Sequence, residues 1–344
     1  MKLAVISTDL KYLDNFITRF KAAGNEVDIY KPGQDAALNT WKLKGLCDWA
    51  DLIWCEFCEH PMAQITNYVT DKPIIARLWR HEVYNPVYMN SIKWDRVNLL
   101  LVATTALKDR FLKSRNQKLE PKETKSFFTP SVDVEKFKYV DRTYTEEIKL
   151  CIIGDVIPRK RQLEAVQLLL DLPEQCTLSI VGAFVNTEYI IHVQNLIKGN
   201  DLAERVHVYG AMDHSMLPEF LGDHDVYLSM SAEETAHFAA AEAMATGCYP
   251  VLNWWPGIND VYPASYICKR FATIIAAIKK WDGFDKDTKK SQALKVRDFS
   301  EQEFSADTEY VEIMKYIDSI LGRLNEDSTL LKILPQNLRT VRNS

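Results

Sequence analysis

Short apolar runs that alternate with helix-periodic segments are the feature that most constrains how these 344 residues can fold. Such runs are typical of strands that are buried on both faces of a parallel sheet. In the first part of the chain the apolar runs are Lys2–Ser7, Asp51–Cys55, Pro73–Arg77 and Asn98–Ala103, and Gly24–Tyr30 gives a helix-ending glycine followed by a further strand. Strands that alternate with helices predict an α/β fold with a doubly wound parallel sheet.

A polar segment, Lys138–Glu147, separates this series from a second one. A chain of this length is too long for one typical hydrophobic core. We therefore predict two similar α/β halves, residues 1–142 and 147–321, with the polar segment as a linker and hinge. Ligands should bind at the carboxyl ends of both sheets, in a cleft between the halves.

Composition and charge narrow the class of protein. The formal net charge of −5 gives the chain as a whole no attraction for nucleic acid or acidic lipid. No apolar run reaches the length of a membrane span, and Met1–Ile6 leads directly into a strand, which favours a cytoplasmic location. The seven cysteines lack disulfide-like spacing, as expected in a reducing compartment.

Two glutamates, Glu234 and Glu242, bracket a segment that we interpret as a loop entering an alanine-rich helix. The run Asp225–Ser231 before it predicts a buried strand. Unpaired amides and the helix dipole at such a helix start favour a diphosphate. Because helical side chains lean toward the N-terminus, both carboxylates can face one elongated ligand. Carboxylates only accept hydrogen bonds, which suits the vicinal diols of a nucleotide sugar.

An ordinary β–α unit with one surface glutamate and one helical glutamate would give the same pair, but the neighbouring residues extend the pattern. The run resembles the Glu-x7-Glu motif of retaining GT-B glycosyltransferases, the family-4-like group (glycosyl transferases group 1). The resemblance continues through further segments in the family's order, namely Ser131–Phe137, Val206–Gly210, Leu217–Leu221, Asp223–Tyr227, Gly247–Leu252 and Pro256–Asp260.

This resemblance implies a GT-B fold with two Rossmann-like domains. It also implies that the tail, from about residue 322 to 344, packs back on the first domain. The first domain would bind the acceptor and the second the nucleotide sugar. Glu234 would hold the sugar hydroxyls and Glu242 the ribose diol. Gly154, Gly210, Thr235 and Ala236 match other positions on the donor side.

A basic turn, Gly154–Arg161, stands between a predicted strand and a helix. Adjacent cations at a helix start are unfavourable unless an anion neutralises them. Lys160 matches the lysine that binds the donor diphosphate in the family. The family's arginine is Asp155 here, so Arg159 or Arg161 is expected to replace it. The alternative interpretation is a solvated basic turn.

His237 stands where the family usually has a glycine. Glycine would let backbone amides approach phosphates, whereas histidine adds a bulky, titratable group. Two interpretations stay open. His237 contacts phosphate or sugar, or marks an unusual donor, or it is a buried histidine with satisfied hydrogen bonds.

In the first half, polar residues follow three predicted strands. Arg80, His81 and Glu82 come after one strand, where they could contact the donor or acceptor sugar, with Arg80 and Glu82 as acceptor-side candidates. His81 is nearest to the family's catalytic-site histidine. Glu56 ends another strand and could bind acceptor hydroxyls, although a polar strand end is an equal alternative. Thr8 stands after the first strand, where many relatives carry a glycine pair, so acceptor binding is expected to differ.

A run of lysines and arginines covers Lys108–Lys125. Such a run is most often a solvated face. The alternative is that it docks an anionic acceptor, namely a phospholipid surface, a phosphorylated glycan or DNA.

Two patterns resemble metal sites. Cys55 and Cys58, with His60 beyond them, have metal or redox spacing, but no second pair accompanies them and packing at a strand end is preferred. Asp223 and Asp225 mimic an Asp-x-Asp motif at the start of a predicted strand. We expect no metal and no cofactor, because a lysine and a helix dipole can stabilise a departing diphosphate.

The predicted function is retaining transfer of a hexose or pentose from a nucleotide-diphosphate sugar to an acceptor hydroxyl on a glycan, a lipid-linked molecule or another compound. Two alternatives stay open: a nucleotide-sugar epimerase on the same scaffold, and a non-catalytic relative that binds sugar or nucleic acid.

Overall fold

The computed structural model describes residues 1–32, 40–68, 71–114, 120–126 and 130–323. Contacts divide the chain into two compact units. The first contains residues 1–131 together with the chain from residue 306, and the second contains residues 132–305.

The first unit contains a six-stranded sheet in which all neighbouring strands are parallel. The order of its strands is β2-β1-β3-β4-β5-β6. The strands are β1 (Lys2–Ile6), β2 (Glu26–Tyr30), β3 (Leu52–Glu56), β4 (Ile74–Leu78), β5 (Leu99–Val102) and β6 (Thr124–Ser126). The connecting helices are α1 (Asp14–Ala22), α2 (Thr40–Trp49), α3 (His60–Tyr68), α4 (Arg80–Tyr84) and α5 (Thr105–Ser114), with a 3₁₀ turn at Trp94–Arg96.

The second unit contains another parallel six-stranded sheet, in the order β12-β11-β10-β7-β8-β9. Its strands are β7 (Ile148–Ile153), β8 (Cys176–Val181), β9 (Val206–Gly210), β10 (Val226–Ser229), β11 (Tyr249–Asn253) and β12 (Ile267–Cys268). Its helices are α6 (Gln162–Leu168), α7 (Thr187–Gly199), α8 (Leu217–Gly222), α9 (Phe238–Ala245), α10 (Phe271–Asp282) and α11 (Lys286–Phe304). Short 3₁₀ turns cover Pro158–Lys160, Ile258–Asp260 and Ala264–Tyr266.

Both sheets confirm the predicted α/β fold. Every residue of β3, β4, β5 and β10 is buried, as their continuous apolar sequences require. In the second sheet, helices cover both faces, with one core on each side. In the order of each sheet, strand succession reverses at one point, between β1 and β3 in the first and between β7 and β10 in the second. Ligands of doubly wound sheets bind outside the carboxyl ends of the strands at such a point.

One further helix, α12 (Ala306–Ile320), belongs to the first unit. Its buried face, which includes Tyr310, Ile313 and Ile317, packs in one apolar core with residues of α1 and the first sheet. The sequence-based boundary lay later, at 321, because the helical periodicity of α12 does not show which sheet it covers. Residues 324–344, most of the predicted returning tail, lie outside the described residues.

The predicted linker, Lys138–Glu147, is part of the second unit. Arg142 donates hydrogen bonds to the carbonyls of Leu221, His224 and Thr246 over 2.7–2.8 Å. Tyr144 is buried in the core of this unit. Most other polar residues of the segment are exposed, so the sequence pattern does not distinguish an interdomain linker from a surface segment of one unit.

Candidate functional site

The loop after β7 folds so that Lys160 turns back over Gly154. Pro158–Lys160 forms a 3₁₀ turn that ends at Arg161 in the left-handed region, with φ of 54°. A Cβ on Gly154 would lie 3.1 Å from Lys160 Cε, and one on Gly182 would lie 1.9 Å from the Gly154 carbonyl oxygen. Glycine at these positions therefore permits the close approach of two strand ends and a lysine.

Lys160 and Glu234 form the centre of the site. Lys160 Nζ lies 2.5 Å from Glu234 Oε1, which also lies 3.4 Å from Nη1 of Arg159. The same Arg159 nitrogen donates to the Glu233 carbonyl at 2.6 Å. The loops that follow β7 and β10 thus meet at the point where the strand order reverses, as the fold predicts for a ligand site.

Glu234 is held in its charged form. Burial by itself would raise the pKa of this carboxyl, but His237, Lys160 and a hydrogen bond from Ser231 lower the pKa to about 2. The site therefore presents a carboxylate beside two cations at any physiological pH.

His237 is buried beneath this carboxylate and adopts a left-handed backbone with φ of 58°. Its Nε2 lies 2.6 Å from Ser229 Oγ, and its carbonyl accepts a hydrogen bond of 2.8 Å from the Tyr262 hydroxyl. Burial, reinforced by the cations Lys160 and Arg159, lowers the pKa of His237 to about 4. The imidazole is therefore neutral at physiological pH.

Helix α9 begins directly after His237 and carries Glu242 on its second turn. Glu242 Oε1 lies 2.7 Å from Nε2 of His214. Burial raises the pKa of the Tyr262 hydroxyl, and the charges of Glu234 and Glu242 raise it further. Glu242 thus faces a histidine, whereas Glu234 faces Lys160 and Arg159.

The remaining donor-side candidates have individual positions. Gly210 ends β9 with φ of 73° and accepts a hydrogen bond from the Gly182 amide at 2.8 Å. Thr235 is half-buried, and Ala236 is buried with its carbonyl 3.0 Å from the Tyr262 hydroxyl. Arg161 faces Glu164 at 3.8 Å, so Arg159 is the arginine that lies beside Glu234.

Two acceptor-side candidates lie inside the first unit. Glu56 is 1% exposed and accepts hydrogen bonds of 2.8 Å from the indoles of Trp54 and Trp79. Glu82 accepts hydrogen bonds from the backbone amides of Trp79, at 2.7 Å, and of Cys58. Burial raises the pKa of both carboxyls. In this structure their oxygens bind interior donors, which corrects the expectation that they face acceptor hydroxyls.

The other first-unit candidates are more accessible. His81 is exposed and lies 3.8 Å from Glu59 Oε1. The Arg80 guanidinium lies 4.9 Å from the centre of the Tyr84 ring. Thr8 is exposed beyond the end of β1. These three side chains stay candidates for acceptor contacts.

The patterns that resembled metal sites have structural partners. Cys55 and Cys58 are buried, and burial raises the pKa of both thiols. The Asp225 carboxylate accepts a hydrogen bond of 2.9 Å from the Lys149 amide. All seven cysteines are free and buried.

The basic run is only partly described. Lys108, Arg110 and Lys113 lie on α5, and the Arg110 guanidinium stacks 3.8 Å from the centre of the Tyr84 ring. Residues 115–119, which include Arg115 and Lys118, lie outside the described residues. None of the described helices has the length and apolar composition needed to cross a membrane.

Sequence reasoning missed several residues of the site, among them Ser229, Ser231, His214 and Tyr262. Ser229 and Ser231 lie at the end of the predicted strand that precedes the Glu234 loop, and this position was the only signal available. Tyr262 and His214 come from other loops, so only the folded chain shows that they belong to the site.

Part of the chain matches a family model, and the chain as a whole is similar in fold to solved structures. Residues 133–290 match the family model described as Glycosyl transferases group 1. The chain is similar in structure to Anabaena HepE in complex with UDP and glucose, with 15% identity, a TM-score of 0.71, and coverage of 93% of this chain and 100% of that one.

Two further solved structures are similar. Sucrose-phosphate synthase from Thermosynechococcus elongatus has 15% identity, a TM-score of 0.71, and coverage of 94% of this chain and 100% of that one. A glycosyltransferase from Rickettsia africae has 12% identity, a TM-score of 0.71, and coverage of 94% and 99% in the same order. No curated protein matches the sequence.

Proposed function

We propose that this chain, which has the GT-B fold and carries a glycosyl transferases group 1 domain over residues 133–290, transfers a sugar from a nucleotide-diphosphate sugar to an acceptor hydroxyl with retention of configuration. The observation that carries the proposal is the contact of Lys160 and Arg159 with Glu234 at the strand-order reversal, beside the start of α9. The complex of the similar HepE with UDP and glucose supports this class of donor.

The charges of the site suit the breaking of a bond between a sugar and a diphosphate. Negative charge develops on the departing diphosphate, and Lys160, Arg159 and the amino end of α9 would stabilise it. Lys160 pairs with Glu234 in this structure, so a diphosphate would compete for the same ammonium group. Glu234 would then hold sugar hydroxyls, and Glu242 the ribose diol.

The proposed transfer retains the anomeric configuration of the sugar. Glu234 lies between two cations, which makes it a weak nucleophile. We therefore propose that the leaving phosphate itself accepts the proton of the acceptor hydroxyl, on the same face of the sugar. The anomeric configuration of the product, measured by NMR, tests this part, and an inverted product would contradict it.

Metal independence is also proposed. Lys160 and Arg159 supply positive charge where a metal ion would otherwise do so. The Asp225 carboxylate, which belongs to the Asp-x-Asp pattern, binds a backbone amide. Full activity in excess EDTA is the expected result.

The test begins with a screen of nucleotide sugars by mass spectrometry, with release of the nucleotide as readout. Lys160→Met should lower kcat by about 10²–10³-fold, because a preorganised donor to the leaving group is lost. Arg161→Met is the matched control, since Arg161 faces Glu164 rather than Glu234. Equal losses in the two variants would contradict the role of Lys160.

Two alternatives are tested by the same samples. An epimerase would convert the donor sugar without an acceptor, so the products of donor alone are analysed. A non-catalytic relative is favoured by Asp155 and His237 at positions where the family has other residues. Calorimetry without binding of any nucleotide would support that relative, whereas turnover would exclude it.

The proposal extends to the acceptor and to the location of the protein. We propose an anionic acceptor near the first unit, because Arg80 and Arg110 stack on the exposed Tyr84 ring. A cytoplasmic location, with peripheral membrane attachment, fits the seven free cysteines. Flotation with anionic and neutral vesicles tests attachment, and equal binding to both would contradict an electrostatic contact.

A further inference from the structure

A series of three side chains runs from solvent to Glu242, and the proposed reaction leaves two of them without a role. Lys136 Nζ lies 2.8 Å from Nδ1 of His214, and Nε2 of His214 lies 2.7 Å from Glu242 Oε1. Within the described ranges, His214 is the only hydrogen-bond or ion-pair partner of the Glu242 carboxylate. The two contacts link Lys136 to Glu242 through the His214 ring.

The chemistry of the three groups gives the series a direction. A lysine ammonium can only donate hydrogen bonds, so Nδ1 of His214 accepts. The proton of the neutral imidazole is then on Nε2, from which it is donated to Glu242 Oε1. This bond occupies one carboxylate oxygen and fixes the orientation of the other.

Each member of the series is held by its own part of the second unit. Asp133 Oδ1 accepts hydrogen bonds of 3.1 Å from the amides of Glu135 and Lys136, which shapes the turn that presents the lysine. The buried Phe137 ring lies 5.4 Å from the His214 ring. Glu242 is fixed on α9. The three positions therefore come from separate segments that the fold brings together.

The difference in exposure argues against a purely stabilising role. The side chain of His214 is 57% exposed, whereas that of Glu242 is 13% exposed. Ion pairs with such an exposed partner contribute little to stability. They do, however, restrict the rotamer of a carboxylate that would otherwise turn freely.

We propose that His214, supported by Lys136, is a positioning residue that orients Glu242 toward the vicinal ribose hydroxyls of the donor nucleotide. This inference rests on the proposed function. It predicts that the enzyme recognises the ribose 2′- and 3′-hydroxyls through a carboxylate whose direction depends on His214.

The experiment measures discrimination between ribose and its deoxygenated form. Calorimetry gives the Kd of UDP, GDP and ADP, and of the 2′,3′-dideoxy analogue of whichever binds best. The Kd of the dideoxy analogue divided by the Kd of the parent nucleotide measures this discrimination. The ratio should fall about three- to tenfold in His214→Phe and about twofold in Lys136→Met, as expected for loss of one charge-assisted hydrogen bond or its support. His214→Gln should restore the ratio, because its amide can donate to the same oxygen.

His192→Phe is the matched control, because His192 is an equally exposed histidine that faces Glu188 at 3.8 Å on α7. An unchanged ratio in both His214→Phe and Lys136→Met, with a lowered ratio in Glu242→Gln, would overturn the inference while the proposed function stands. Lys136→Met decides the matter if His214→Phe does not fold. Absence of binding by all three nucleotides to the unaltered protein would overturn the proposed function, and the inference with it.

Discussion

At the scale of single residues, His237 has a left-handed backbone, with φ of 58°, at a position where the resembling family usually has a glycine. A left-handed backbone costs a non-glycine residue about 1–2 kcal/mol. At His237 the contacts with Ser229 and Tyr262 offset this cost. The backbone path into α9 is therefore preserved although the side chain has changed.

The buried, neutral His237 makes stability depend on pH. Its pKa falls from the ordinary 6.5 to about 4 on folding, so the unfolded chain binds one more proton between these values. The free energy of unfolding should therefore decrease on acidification through this window, by up to about 1.4 kcal/mol per pH unit. Urea unfolding of the protein and of His237→Gln at several pH values measures this contribution.

The variant should lack this part of the slope, and an identical slope in both proteins would contradict a buried neutral His237. The carboxyl group of Glu234 also makes the free energy of unfolding decrease on acidification, but at lower pH. Its pKa falls from 4.5 to about 2 on folding, so its contribution is present above pH 4.5 and is lost as pH falls toward 2.

At the scale of elements, Arg142 caps the carboxyl ends of two helices. Arg142 donates to carbonyls at the carboxyl ends of α8 and α9 and also contacts the Thr246 hydroxyl. The last carbonyls of a helix lack partners within the helix and carry partial negative charge. Because α9 carries Glu242, this contact also holds the helix that presents the donor-side carboxylate.

Arg142→Met should lower the free energy of unfolding of the second unit by at least about 2 kcal/mol, since several charge-assisted hydrogen bonds are lost. Lys290→Met is the control, because Lys290 pairs with Asp141 on the surface, and exposed ion pairs contribute little to stability. Urea unfolding followed by tryptophan fluorescence compares the two variants. Similar effects would show that Arg142 is merely a surface charge.

At the scale of the whole molecule, the first unit is built from both ends of the chain. Arg77 in β4 donates to Glu309 in α12 at 3.1 Å, and this arginine also lies 3.7 Å from Glu56 Oε2. Burial raises the pKa of both carboxyls. The helix therefore completes both the apolar core and a buried charged cluster.

Ile317→Ala should destabilise the first unit by about 2–5 kcal/mol, because Ile317 is fully buried among the residues of this core. Leu294→Ala, on the exposed face of α11, is the control and should have little effect. Amide hydrogen exchange locates the change, which is expected in β1, β3, β4 and β5. Loss of protection confined to residues 132–305 would contradict the assignment of α12.

Much of the fold was predictable because it depends on local patterns. The apolar runs predicted the parallel sheets, which depend on residues close in sequence. The prediction that Lys160 and Glu234 belong to one donor site came from the resemblance to the family, because their contact spans 74 residues of sequence. The predicted roles of the individual site residues stay predictions.

Other features depended on partners distant in sequence. A glutamate at a strand end has the same local pattern whether it faces solvent or, as Glu56 does, the indoles of Trp54 on the same strand and of Trp79 directly after β4. The role of Arg142 depends on helix ends about 80 and 104 residues later in the chain. The alignment of His214 with Glu242 likewise required the folded loops.

The position of α12 has a consequence for synthesis on the ribosome. The second unit is contiguous, so all of its residues are synthesised before α12. Residues 1–131 are synthesised earlier but then lack α12. Arg77 can contact Glu309, which lies 232 residues later, only after that helix has been made. Contacts of such long sequence separation form slowly. The part of the protein that is translated first is therefore the last to become complete, and until then its apolar sheet face needs protection by a chaperone or by the growing chain itself.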